Sequence, residues 1–195
     1  MKNTKSKANI PRVIILRGSP GVGKSTIAMK VCTLLHKNKV ARVSIDDLQH
    51  FDQRNACKDK FKLGIFHAAI VCRSFIQEGF DIVVDYVFDR DLDFFVDKLL
   101  RSHATRLPPC KIQIAYLDAK FDVVKKRNEN RKDPMPLCVL TELYECCNAL
   151  KGQFPSEVVI DTTKLSPKGA AKKVLESRIA IVGCDKKGKI VLGEI

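Results

Sequence analysis

The sequence predicts a three-layer α/β fold, with helices on both faces of a parallel sheet. Three observations lead there. Five short apolar runs recur along the chain, stretches with 3.6-residue hydrophobic periodicity separate them, and a glycine-rich turn joins the first run directly to the first helical stretch. Alternating strands and helices pair in parallel, because each crossover helix returns the chain to the same end of the sheet.

In chain order, Val13-Ile14-Ile15-Leu16 is the first predicted strand and 24–37 the first helix. Ala41-Arg42-Val43-Ser44-Ile45 is the second strand, followed by a helix over about 58–78 whose apolar stripe runs through Ile65, Ala69, Cys72 and Ile76. Ile82-Val83-Val84 is the third strand, and about 91–103 the next helix, on Phe95, Val96, Leu99 and Leu100. The fourth strand is Ile112 to Leu117, then helices over 121–131 and 137–150 flank a break at Pro134 and Pro136. Val158-Val159-Ile160 is the fifth strand and 166–178 the last helix. Beyond Arg178 two apolar strings flank Asp185-Lys186-Lys187-Gly188-Lys189, which predicts a terminal hairpin or a loosely docked tail.

The turn after the first strand carries the chemistry. Gly18, Ser19, Pro20, Gly21, Val22, Gly23, Lys24, Ser25 and Thr26 spell GxxxxGK[ST] between a strand and a helix, the context in which that pattern binds nucleotide phosphates. Glycines let the backbone turn sharply and gather N–H groups into a concavity that suits an anion, and the helix beginning at Lys24 adds its positive dipole end. Lys24 is placed to reach the β- and γ-phosphates, and the Ser25 hydroxyl to ligate Mg²⁺. A ligand-free turn would have no reason to keep both the glycine spacing and the Lys-Ser pair.

Ligands of open α/β sheets bind beyond the carboxyl ends of the strands, where this chain places Asp46 and Asp47, Asp85, Asp118, and Asp161 to Thr163. Asp46 is the candidate base for an attacking hydroxyl, with Asp47 as competitor or as a cap for a helix through Leu48 to Phe51. Asp85 is the candidate to hold Mg²⁺, directly or through a water. Its neighbour is Tyr86 rather than Glu, which argues against a water-splitting motor, and Asn38-Lys39-Val40-Ala41 lacks the Asp of a guanine-reading motif. Arg127 and Arg131, at i and i+4 of the predicted helix, are candidates to clamp the transferring phosphoryl group; the alternative is a solvated basic helix with Glu129 as internal partner. His50 is near enough to Asp46 in sequence to line an acceptor pocket or to sit as a surface cap.

Composition narrows the setting. The 195 residues suit one domain, with a core over about 12–178, a basic N-terminal extension 1–11 and a C-terminal tail 179–195. Eight cysteines form no CxxC pair and no zinc spacing, so they are expected to be reduced thiols; the adjacent Cys146 and Cys147 suit either packing or a redox switch. Val13 to Leu16 is too short for a signal peptide or a membrane span, which predicts a cytoplasmic protein with no membrane partner. The net charge of +13 favours polyanionic partners, yet a cleft that handles ATP must be positive in any case, and no basic motif interleaved with aromatics appears.

With these residues assembled, the chain resembles the small P-loop kinases of the chloramphenicol phosphotransferase-like and zeta-toxin-like group, and more broadly the shikimate, gluconate and polynucleotide kinases. The likeness rests on the phosphate loop, Val43 to Leu48, Ile82 to Phe88, the Arg127/Arg131 segment and Glu157 to Thr163. It implies a P-loop NTPase sandwich with a five-stranded parallel sheet in the order 2-3-1-4-5, a helical lid, ATP as donor with Mg²⁺, and Asp46 as base. It also implies an adenine pocket between the lid and the loop at Asp161 to Thr163, and an acceptor chosen by Gln49 to Phe66. Polynucleotide kinases tend to place an Arg three residues after that Asp, where this chain has Gln49, which counts against a polynucleotide acceptor. The expected acceptor is a hydroxyl of a small molecule such as an antibiotic, sugar or metabolite. A nucleic-acid-directed kinase and a non-catalytic nucleotide-binding protein stand as alternatives.

Overall fold

The computed structural model describes residues 10–36, 39–49, 60–101, 107–154, 156–177, 180–184 and 190–194. His50, most of the expected acceptor-choosing stretch and the lysines of the N-terminal extension lie outside the described residues. The chain runs β1 (Arg12–Arg17), α1 (Lys24–Leu34), β2 (Val40–Ser44), a 3-10 turn (Asp46–Gln49), α2 (Lys60–Gln77), β3 (Asp81–Asp85) and α3 (Leu92–Leu100). It continues through β4 (Cys110–Asp118), α4 (Phe121–Glu129), α5 (Leu137–Ala149), β5 (Val158–Asp161), α6 (Pro167–Glu176), β6 (Ala180–Cys184) and β7 (Ile190–Glu194).

Five strands are parallel and follow the expected order 2-3-1-4-5: β1 lies between β3 and β4, β2 pairs outside β3, and β5 pairs outside β4. The remaining strands form an antiparallel hairpin. β4 accommodates both neighbours by its length. Its last residues, Ala115 to Asp118, pair with β5, while Cys110 to Ile112 on the same edge pair with β6 in the opposite sense.

The period-two geometry of a strand explains why β1 is apolar throughout. Val13 and Ile15 join the core cluster under α2 and α3, whereas Ile14 and Leu16 join the cluster under α1 and α6. All four are fully buried. This central strand aims its carboxyl end, and with it the glycine-rich turn, at the edge where ligands of such sheets bind.

The last residue of β1 is a buried cation. Arg17 forms an ion pair with Glu157 at 2.9 Å, donates to the carbonyls of Phe88 (3.1 Å) and Leu150 (2.8 Å), and lies between the rings of Tyr116 and Phe154. Phe88 sits at φ 46°, a strained left-handed conformation for a bulky residue, held by packing against Tyr86 and Phe95 as well as by Arg17.

Candidate active site

The phosphate loop has the backbone its glycines permit. Gly18, Gly21 and Gly23 adopt φ of 137°, 84° and 102°, and a Cβ at position 18 would stand 2.3 Å from the carbonyl oxygen of Leu117. The loop therefore lies directly against the end of β4, and Gly23 caps α1. Lys24 folds back along the loop, its Nζ donating to the carbonyls of Gly18 and Ser19, each at 2.9 Å. Burial lowers its ammonium from the ordinary lysine range to about 8, against the pull of Asp46 and Asp85.

The strand-end aspartates, equivalent in sequence, are not equivalent in space. Asp46 opens the 3-10 turn and lines the same cleft as the loop; desolvation there raises its carboxyl, while Lys24 and Arg131 pull it down. Asp47 is absent from the lining of that cleft and acts electrostatically on both Arg42 and Asp46. β2 stops at Ser44 and Asp46 opens the 3-10 turn, which is described as far as Gln49; the rest of the helix expected through Phe51 lies outside the described residues. Asp85 accepts the Ser25 hydroxyl at 2.8 Å and is gripped by Arg42 at two points. Asp118 pairs with Lys151 at 2.8 Å, and hydrogen bonds from the Thr163 side chain and backbone N–H lower the carboxyl of Asp161. These last two are turn and rim residues.

The arginine pair requires a correction. The expected helix 121–131 ends at Glu129, with Asn130 as cap, so Arg127 and Arg131 do not share a helical face. Asparagine side chains terminate it: Asn130 bonds back to the Lys126 carbonyl, and the buried Asn128 both donates to and accepts from the Met135 backbone, closing the connection to α5. Arg127 points inward, its guanidinium directed at the carbonyls of Val22 (3.3 Å) and Thr162 (3.0 Å). It ties the phosphate loop to the β5–α6 connection. Arg131 is exposed, lines the cleft, and acts electrostatically on Lys24 and Asp46.

Pro20 to Thr26 of the phosphate loop, Asp46, Arg127 and Arg131 face one cleft of about 1140 Å³, whereas Asp47, Asp85, Asp118 and Asp161 are not in its lining. At one end Arg127, Thr162, Leu165 and Pro167 flank the phosphate loop; at the other lie Asp46, Gln49, Phe61, Tyr86, Asp89 and Arg90; Arg131, Met135, Val139 and Leu143 wall it from the α4–α5 side. Gln49 and Tyr86, read in the sequence for what they are not, are hydrogen-bonded to each other at 3.0 Å. Gly64 makes room for them, since a Cβ there would meet Gln49 at 2.6 Å. Thr162 carried no sequence signal beyond its place after a strand end, and Arg42, in the middle of β2, carried none. Cys147 is buried on α5 with its thiol pushed up to about 11 by desolvation, which suits packing, and neither it nor Cys146 is in a disulfide.

A family model for the zeta toxins matches residues 1–109, more than half of the 195. The chain belongs to the zeta toxin family. Solved structures extend the likeness beyond the matched part. A sugar kinase from Janibacter sp. superposes at a TM-score of 0.62 with 19% identity, over 86% of this chain and 94% of its own. A tunicamycin resistance protein of Deinococcus radiodurans gives 0.59 and 18%, over 85% and 94%. A gluconokinase from Sinorhizobium meliloti gives 0.58 and 16%, over 86% and 91%. At such identities the likeness establishes the fold, which for this zeta toxin family member is that of the small P-loop kinases. No helix among the described residues is long and apolar enough to cross a membrane.

Proposed function

We propose that this cleft transfers the γ-phosphoryl group of ATP to a hydroxyl of a small molecule. One observation carries the reading: Asp46 shares the cleft with the phosphate loop, close enough for Lys24 to act on its carboxyl. The loop residues Gly18 to Thr26 are assigned the triphosphate, Lys24 its β- and γ-oxygens, and the end at Arg127, Thr162, Leu165 and Pro167 the base.

Mg²⁺ suits the donors present. Among the described residues no group of three or more His, Cys, Asp or Glu is placed to cage a metal, whereas Ser25 and Asp85 stand hydrogen-bonded beside the loop. A cation carried mainly by phosphate oxygens and water needs only such one or two protein contacts. Held beside Ser25 and Asp85, Mg²⁺ would supply charge that offsets that of the triphosphate. Asp46 accepts the proton as the acceptor oxygen attacks phosphorus, the bond to the bridging oxygen breaks, and ADP leaves. Arg131, on the open side, is assigned the charge that builds on the transferring group.

The test is transfer from γ-labelled ATP across a panel of sugars, sugar acids, hydroxylated antibiotics and RNA, with Lys24→Ala as control. Label on a small hydroxyl compound, absent in the control, is the expected result. Label on RNA alone would replace the acceptor class, and nucleotide binding with no transfer to any acceptor would favour a non-catalytic protein.

A further inference from the structure

Arg42 lies beside the proposed cation site, and the mechanism above leaves it unused. Its Nε donates to Asp85 Oδ1 at 2.8 Å and its Nη2 to Oδ2 at 2.9 Å, a two-point fork across strands β2 and β3. The same Oδ2 accepts the Ser25 hydroxyl. Asp85 is almost wholly buried, with 2% of its side chain exposed against 27% for Arg42. One side chain thus holds both oxygens of this carboxylate, offsets its charge and leaves it oriented toward Ser25. Because Ser25 spends its hydrogen on Asp85, its remaining lone pairs are available to a cation.

We infer that Arg42 is a positioning residue that sets how strongly a divalent cation assists nucleotide binding: held on both oxygens of Asp85, it keeps that carboxylate from drawing a cation with its full charge. The inference rests on the reading of Ser25 and Asp85 as cation-side residues. Two effects share a sign. Without Arg42, an unneutralised Asp85 repels bare triphosphate, which then binds more weakly, and attracts a cation, so the cation-loaded nucleotide is favoured. The other groups acting on Arg42, Asp47 and the Cys32 thiol, bring no positive charge to replace it. A merely structural strand-to-strand tie would alter stability and leave the dependence on the cation alone.

The experiment measures the affinity of N-methylanthraniloyl-ATP, by fluorescence, in EDTA and in saturating Mg²⁺, and reads the ratio of the two Kd values. In Arg42→Gln the ratio is expected to rise about tenfold, the order expected for one unit charge at a partly screened site. Arg42→Lys keeps the charge on a single contact and is expected to fall between Gln and wild type. Adding Asp85→Asn to Arg42→Gln should abolish the rise. A ratio unchanged or lowered in Arg42→Gln, with the melting temperature confirming a folded protein, overturns the assignment. Should that variant not fold, the same comparison with Arg42→Lys decides, a rise supporting and no rise overturning. Absence of any Mg²⁺-dependent nucleotide binding by the wild-type chain is a different result, removing the kinase reading rather than Arg42 alone.

Discussion

The two ends of the cleft are built differently. At the phosphate-loop end most polar groups already have protein partners: Lys24 on two loop carbonyls, Arg127 on Val22 and Thr162, and the Thr162 hydroxyl within reach of the carbonyls of Asp118 (2.8 Å) and Val22 (3.0 Å). At the other end Asp46 keeps part of its surface in solvent although the cleft desolvates its carboxyl, and Phe61 stands 52% exposed. Handling a triphosphate demands one backbone geometry, which the chain can stabilise in advance. On the proposed reading, recognising an acceptor would fall to side chains from separate elements, Gln49 from the 3-10 turn, Phe61 from α2 and Arg90 from the β3–α3 connection.

If the ends divide the work this way, variants at each should separate binding from transfer. The largest expected effect is at Asp46. Asp46→Asn should lower phosphoryl transfer by about 10²- to 10⁴-fold, the usual contribution of a positioned base, and leave nucleotide affinity nearly intact. Asp47→Asn, outside the cleft lining, should change transfer far less. Equal losses in both variants, measured with an acceptor from the labelled-ATP screen, would show that the carboxylate pair is structural. Arg131→Ala should follow, with kcat lowered on the order of 10³-fold and little change in nucleotide affinity. A normal kcat would make Arg131 surface charge.

Arg127→Ala sharpens the contrast between the two arginines. Its loss falls on nucleotide affinity, by about tenfold or somewhat more for a few charge-assisted bonds to carbonyls, with kcat at saturation largely kept. A collapse of kcat with unchanged affinity would return Arg127 to the transferring phosphoryl group. The smallest effect is the pH dependence of nucleotide binding. The folded pKa of Lys24 is depressed to about 8, so its ammonium is lost as pH rises through that value and affinity should decline above it, by at most about tenfold per unit. The stability of the nucleotide-free protein should move the other way, rising from about pH 8 toward 10.5 as the desolvation penalty on the charged form is relieved. Flat affinity between pH 7 and 9.5 would mean that binding takes up no proton, so that Lys24 is as protonated in the free protein as in the complex.

The phosphate loop was legible because its chemistry is backbone chemistry, and glycine at fixed offsets records it. The strands were legible because a buried parallel strand is apolar on both faces, as Val13 to Leu16 is. The helix end at Glu129 was not: periodicity alone carries α4 to 131, and only the side chains of Asn128 and Asn130, competing for the backbone, stop it. Arg42 was hidden for a related reason. A charged residue within a short strand reads as an outward-facing one, and its partner Asp85 lies 43 residues away on the neighbouring strand.

Arg17 gives the cleft a fixed point. Its partners belong to the loop after β3, the end of α5 and the approach to β5, so three segments remote in sequence share one buried rivet at the root of the phosphate loop. Loss of Glu157 would strand that cation in a site without water to receive it, at a cost of about 3–5 kcal/mol. α5 is therefore held at both ends, by Arg17 on the Leu150 carbonyl and by Asn128 on the Met135 backbone just before its start, so the wall it gives the cleft has a fixed distance from the phosphate loop.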